Sequence, residues 1–419
     1  MARSPLTLAA SVTSALPRVG VVSVAALTED AAGRYDSAVA TLEDGRKVVV
    51  RVPADEAADA DLRAETRALA ALSAGVRAVL PFAAPEVLGQ ARMDGVEAVV
   101  ETFLPGYRVD APHIPAGRGV ATAVGAGIAA VHDLPAAVAR DAGLPVLTAA
   151  QVRTEVERLL DRAEATGRLP FGLLRRWSQA IGSDALWRFE TTVVLGGVDP
   201  AAFVLRDDEQ GVPAVTGLLT WAGLGVGDPA VDLRWLSSAP DARDDVLAAY
   251  AARAHRAVDS VLAERARLHA ELEFAAWLVH GHATGTESVI DDAVALLEAL
   301  DANVRDEPPL AAEQITVDDA MAVLGRVPAG DGVDTSMQTD AFDPSMLAEY
   351  VDDAETTGDI ETAPIELGSW TPQPTATGAT GAAAADGVRA AAPDPDDADR
   401  DDDVDEAARN ALRRWTGTD

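Results

Sequence analysis

Apolar and polar residues alternate over Ser37-Ala-Val-Ala-Thr-Leu-Glu-Asp-Gly-Arg-Lys-Val-Val-Val-Arg-Val52. A period of two predicts a pair of strands. Asp44-Gly45 in the middle is a hairpin-turn signal, and Pro53 closes the second strand. Residues 59–72 switch to helical spacing, and 86–88 and 96–103 return to short strands. After Leu104-Pro-Gly106 the period changes for good: Val120, Val124, Ile128 and Val131 fall on one helical stripe, and 152–163 forms another. Strand-like runs at 192–195, 203–205 and 215–219 interrupt, and helices resume over 245–280 and 288–300. The apolar run in the first ten residues is weak and broken by Ser and Thr, so it reads as a first amphipathic helix of a cytoplasmic protein rather than a leader. The pattern is α+β. It predicts a mostly β lobe over 1–104, a helical lobe over 105–305 and a short helical extension over 306–330.

Charge sets the rest of the chain apart. Residues 331–419 carry 22 acidic and 5 basic residues, a net −17 that is half of the chain's −34. The segment is rich in Thr, Gly, Ala, Pro and Asp, and buries too little apolar surface to offset its ordering entropy, so it predicts a disordered acidic tail. Its run over 394–406 lacks the glycine and spaced ligands of a calcium loop and reads as solvated repulsion. Two islands interrupt it. Residues 345–351 could form a brief helix. Ala408, Leu412 and Trp415 fall at i, i+4, i+7 beside Arg409, Arg413 and Arg414. They read either as a docking motif for a partner or for the chain's own acidic body, or as a frayed end.

Composition removes whole classes of function. With no cysteine there is no disulfide scaffold, thiolate metal site or cysteine nucleophile. A net charge of −34 argues against nucleic-acid and anionic-membrane partners. No stretch reaches the roughly 18–20 uncharged apolar residues of a membrane span. Gly-x-x-x-x-Gly-Lys-Ser/Thr, Gly-x-Ser-x-Gly and His-Glu-x-x-His motifs do not occur.

Two segments carry a specific likeness: Leu186-Trp-Arg-Phe-Glu-Thr-Thr-Val-Val-Leu-Gly-Gly-Val-Asp-Pro-Ala-Ala-Phe-Val-Leu205 and Val215-Thr-Gly-Leu-Leu-Thr-Trp-Ala-Gly-Leu-Gly-Val-Gly-Asp-Pro-Ala-Val-Asp-Leu233. The chain resembles the aminoglycoside and macrolide phosphotransferase family, small-molecule kinases related to protein kinases, over residues 20 to 305 or so. The resemblance implies a bilobal protein-kinase-like fold. It aligns these segments with the family's His-Gly-Asp-Leu-x-Pro-x-Asn/His catalytic loop and with its Ile-Asp-Trp metal segment leading into Gly-Asp-Pro-x-x-Asp-Leu. Phosphoryl transfer needs one carboxylate as base and a second carboxylate, with an Asn or His, to hold Mg²⁺. Here the family's His is Leu195, its base is Gly197, its Asn/His is Ala202 and its metal Asp is Thr220. Gly196, Pro200, Trp221 and Gly227-Asp-Pro-Ala-Val-Asp232 fix the register on both sides. The resemblance thus implies a pseudokinase with a binding or regulatory role toward a small molecule, a nucleotide or a protein. The alternative is an active ATP- or GTP-dependent small-molecule phosphotransferase with a displaced catalytic set, in which Asp199 is the only nearby surrogate base.

Further positions follow from the resemblance. Arg51 stands where the family's phosphate-binding Lys or Arg stands. Glu65 shares a helical stripe with Leu62, Leu69 and Leu72, and a carboxylate on an apolar face needs a partner, so an Arg51–Glu65 pair is expected. Lys47, nearer the turn, reads as solvent-facing. The loop 31–36 holds one glycine and is a weak phosphate loop. Residues 99–104 match the hinge, where backbone groups of Glu101 and Phe103 would meet an adenine. Asp228 and Asp232 read as structural anchors of the catalytic loop and the following helix, and Asp232 as a cap for a helix beginning near Leu233. His132 reads as a satisfied core group. His280 and His282, two apart, make a poor metal site with Asp291 and Asp292. Any nucleotide is expected to be ATP or GTP without Mg²⁺.

Overall fold

The computed structural model describes residues 3–27, 34–93 and 95–310. The tail from 331, its islands at 345–351 and 408–415, the extension beyond 310 and the loop 31–33 lie outside the described residues.

The chain begins with α1 (Pro5–Ala15), capped by the Ser4 side chain. Five strands follow: β1 (Val21–Ala26), β2 (Tyr35–Leu42), β3 (Lys47–Pro53), β4 (Val87–Met93) and β5 (Val96–Thr102). They form an antiparallel sheet in the order β1-β2-β3-β5-β4. The β2–β3 turn places Gly45 at φ 84°, a conformation that costs a residue with a Cβ. Strand alternation sorts the two faces of the sheet. Ala38, Ala40, Leu42, Val48, Val50, Val52, Ala98 and Val100 pack under Leu8 and Val12 of α1. Arg51 projects from the other face toward α2 (Glu56–Ala71).

Two boundaries differ from the pattern for local reasons. The helix expected from 59 starts at Glu56, because the Asp55 carboxylate accepts the Ala58 N–H at 2.7 Å and caps it. The strand expected over 86–88 continues to Met93 along the edge of the sheet, where Gln90 and Arg92 face solvent. The short α3 (Ala74–Val79) lies between α2 and β4.

The second lobe holds α4 (Val120–His132), α5 (Ala137–Asp141), α6 (Ala149–Ala165) and α7 (Phe171–Gly182). Next come β6 (Thr192–Val194), β7 (Phe203–Asp207), β8 (Pro213–Leu218) and β9 (Gly225–Gly227), paired as β6–β9 and β7–β8. A 3₁₀ helix, Pro229–Ser238, leads to α8 (Arg243–Arg253), α9 (Leu262–Thr284) and α10 (Glu287–Val304). The stripe predicted over 245–280 breaks between Arg253 and Leu262. There Asp133 accepts the His255 N–H at 3.1 Å, and Asp259 accepts the Val261 N–H at 3.1 Å, side-chain bonds that compete with helix.

Two cores fill this lobe. One surrounds α4 with Phe203, Trp221, Trp235 and Tyr250, and the other gathers α6, α7, α9 and α10 around Trp177. Among the described residues no helix is long and apolar enough to cross a membrane.

Candidate functional site

β3, α2 and the segment after β8 meet at one buried ion pair. Arg51 Nη1 donates to Glu65 Oε2 at 2.6 Å, and Glu65 Oε1 accepts the Trp221 N–H at 3.3 Å. Glu65 is 2% exposed, so its charge depends on these donors. Glu101 of β5 brings a second carboxylate within 4.0 Å of Arg51, and the Tyr35 ring lies 4.4 Å from the guanidinium carbon. Burial opposes the guanidinium charge, but the Glu65 and Glu101 carboxylates outweigh it and raise its pKa.

The loop between β6 and β7 turns through Gly196 (φ 75°) and Gly197 (φ 101°). A single buried carboxylate holds it. Asp232, 0% exposed, accepts the N–H groups of Leu195 (2.7 Å), Gly197 (2.6 Å) and Val198 (3.2 Å). His132 Nε2 lies 3.1 Å from the same carboxylate, and His132 Nδ1 lies 2.8 Å from the Tyr250 hydroxyl. This chain of bonds ties α4, α8 and the 3₁₀ helix to the loop.

Gly197 has no side chain of its own, and the space where one would stand is taken. A Cβ added there would lie 2.5 Å from Cζ and Nη1 of Arg234. Arg234 is held by Glu273 at 2.8 Å. A cation therefore stands where the family resemblance would set a carboxylate. Asp199 is engaged nearby, its Oδ1 accepting the Ala201 N–H at 2.8 Å to cap the turn Pro200–Ala202. Leu195 and Ala202 are buried, and Thr220 is exposed. Gly223 presses its backbone on the loop: a Cβ there would fall 2.1 Å from the Leu195 carbonyl oxygen.

Asp228 anchors a second network. It accepts the Ala230 N–H at 3.0 Å and so caps the 3₁₀ helix, pairs with Arg265 Nε at 3.0 Å and lies 3.0 Å from His269 Nε2. Arg265, 0% exposed, also meets Asp259 at 2.9 Å and stacks 4.2 Å from the Phe189 ring. Burial pushes the Asp228 carboxyl up, but the His269 and Arg265 interactions prevail and hold it at about 2. The cap expected from Asp232 is thus supplied by Asp228. Asp232 cannot serve, because its two oxygens are turned to the β6–β7 loop.

The segment 99–104, which the resemblance matches to a hinge, is tied into the sheet. The Glu101 side chain turns toward Arg51. The Phe103 N–H donates to the Lys47 carbonyl at 3.3 Å, so that donor is committed within the sheet rather than offered to an adenine. Lys47 is solvent-exposed, with its ammonium 5.8 Å from the Phe103 ring centre. Asp291 pairs with Arg168 at 3.1 Å. Among the described residues no three His, Asp or Glu converge as a metal site. The positions assigned to Mg²⁺ ligands hold a buried methyl group at Ala202 and an exposed hydroxyl at Thr220, which does not fit an ion that takes carboxylate oxygens. Sequence reasoning missed Arg234, Tyr250 and Glu273. Nothing in their local pattern marks them, because they meet the loop only through the tertiary fold.

The model of the phosphotransferase enzyme family matches residues 26–269. No curated protein matches the chain. Among solved structures, the macrolide 2′-phosphotransferase MphH from Brachybacterium faecium, as apoenzyme, is similar at 23% identity and a TM-score of 0.57, covering 67% of this chain and 95% of that one. A GDP complex of wild-type aminoglycoside 2′-phosphotransferase-IIIa is similar at 18% identity and a TM-score of 0.58, covering 72% and 99%. A GDP and kanamycin complex of APH(2″)-IIIa gives 19% identity and a TM-score of 0.56, covering 71% and 99%. At these identities the likeness is one of fold.

Proposed function

The chain belongs to the phosphotransferase enzyme family, and from that premise we propose that it is a pseudokinase that keeps the family's scaffold and works by binding. The observation that carries the reading is the contact between Gly197 and Arg234: the base is missing and its volume is filled by a guanidinium. Losing one member of a cooperative catalytic set costs on the order of 10⁴-fold in rate. Here the base position and both metal-ligand positions have changed together, to Gly197, Ala202 and Thr220. Asp199, the surrogate base, is occupied as a cap.

The retained parts support a binding role. The Arg51–Glu65 pair and the Asp232-held loop keep both walls of the cleft in place. ATP or GTP would enter without Mg²⁺ and weakly, because Arg51 already faces Glu65 and Glu101. Unknown small molecules or proteins are the other ligands of this reading, and the solved relatives named for macrolides and aminoglycosides supply the first probes.

The test is a thermal shift of the full chain with ATP, GTP, a macrolide and an aminoglycoside, each with and without Mg²⁺, alongside a phosphoryl-transfer assay. The reading expects no turnover and no gain in stabilisation on adding Mg²⁺. Mg²⁺-dependent turnover abolished by Asp199→Ala would establish a displaced catalytic set instead.

A further inference from the structure

We propose that a cavity bounded by the 3₁₀ helix Pro229–Ser238, α8 and α9 binds a small zwitterion with an apolar body, the chemical class of a free aliphatic α-amino acid. The cavity measures about 190 Å³ and is partly open to solvent. It is separate from the cleft. Arg234 of the 3₁₀ helix meets Gly197, whereas Leu233 and Leu236 of the same helix line this cavity.

Its lining is of three kinds. Leu233, Leu236 and Leu247 supply an apolar wall. Glu264 supplies a carboxylate whose Oε2 is buried without a hydrogen-bond partner. A helix N-terminus explains an acid in the first turn of α9. Among the described residues the Glu264 carboxylate has no hydrogen-bond or ion-pair partner. Glu264 as a whole is only partly buried, and it lines the cavity.

Arg243 supplies the third element. It is exposed, and among the described residues its guanidinium has neither an ion-pair nor a hydrogen-bond partner. Arg267 also lines the cavity, but Glu271 at 3.1 Å and Glu307 already answer its charge.

The charges select the ligand. An anion alone would meet the Glu264 carboxylate, and a cation alone would leave Arg243 unanswered. A molecule with an ammonium group for Glu264, a carboxylate for Arg243 and a short aliphatic chain for the leucines satisfies all three. A cavity of about 150 Å³ accepts benzene, so in proportion this one encloses roughly eight heavy atoms, and its open side leaves room for the ninth of leucine.

Isothermal titration of the full chain, without nucleotide, tests this directly. The probes are L-leucine, L-leucinamide (ammonium without carboxylate) and 4-methylpentanoate (carboxylate without ammonium). L-Leucine is expected to bind, and each half-charged analogue to bind about tenfold more weakly or worse. Glu264→Gln and Arg243→Ala should each weaken leucine about tenfold or more, and Ala263→Trp, which fills the space, should abolish binding. Failure of leucine to bind up to about 10 mM overturns the proposal. So does equal binding of either analogue, or wild-type affinity in both charge variants. Should a variant fail to fold by circular dichroism, the analogue comparison on the wild-type chain decides alone. The outcome is independent of the pseudokinase reading, which is tested at the other face of the 3₁₀ helix.

Discussion

The Arg234 guanidinium occupies the space in front of Gly197, 2.5 Å from where a Cβ would lie. Restoring a carboxylate at Gly197 is opposed by the loop's φ of 101°, and it requires the Arg234 guanidinium, the far end of a flexible side chain, to move aside. A left-handed backbone costs an L-residue roughly 1–2 kcal/mol before any clash. Gly197→Asp is expected to destabilise the protein by at least that amount in urea denaturation and to yield no phosphoryl transfer. Pairing it with Arg234→Ala should recover the part of the loss due to contact. Transfer activity in Gly197→Asp alone would show that the metal positions are not limiting.

Asp232 is the acceptor for three backbone N–H groups of the β6–β7 loop. Asp232→Ala strands these donors in a buried site, at about 1–3 kcal/mol each where no water replaces the carboxylate. A total loss on the order of 3–5 kcal/mol is expected, read as a lower urea midpoint. Hydrogen exchange should quicken at Leu195, Gly197 and Val198 before the rest of the lobe. Unchanged protection there would mean that Asp232 does not hold the loop.

Arg51 of β3 and Glu65 of α2 form a buried ion pair within the first lobe, and Glu65 also accepts the Trp221 N–H of the second. Arg51→Ala leaves Glu65 charged and buried, and breaking such a pair costs about 3–5 kcal/mol. Replacing both with apolar residues, Arg51→Met with Glu65→Leu, should cost far less than the single change. A double-mutant cycle by urea denaturation measures the coupling, and additive single losses would refute it.

Asp228 gives a pH signature. Its folded-state pKa of about 2 lies below the ordinary carboxylate value, because His269 and Arg265 stabilise the ionised form. The resulting stability is fully present above about pH 4 and is lost as pH falls toward 2, with a magnitude of roughly 2 kcal/mol. Asp228→Asn should flatten this acid limb relative to the wild-type chain in urea melts from pH 2 to 5. Parallel limbs in the two proteins would count against the assignment.

Much of the fold is legible in local pattern, because hairpins and amphipathic helices are written at short range. The alternation around Asp44-Gly45 gives β2 and β3, and the stripe Val120–Val131 gives α4. α7 carried a usable signal too: Leu173, Trp177 and Ile181, all buried, repeat every four residues after Pro170. β4 beyond Leu88 did not, since an edge strand tolerates the polar residues Gln90 and Arg92. The same short-range register marks the changed positions Gly197, Ala202 and Thr220.

The sequence by itself determined the two-lobed order, the family frame and the absence of acids at Gly197, Ala202 and Thr220, each of which depends on spacing along the chain. Only the tertiary structure decided that Arg234 fills the place at Gly197, that Asp232 holds the loop while Asp228 caps the helix, and that Glu101 joins Glu65 at Arg51. Those contacts join residues far apart in the chain. Which charge meets which is fixed by packing and burial, and these have no local period to read.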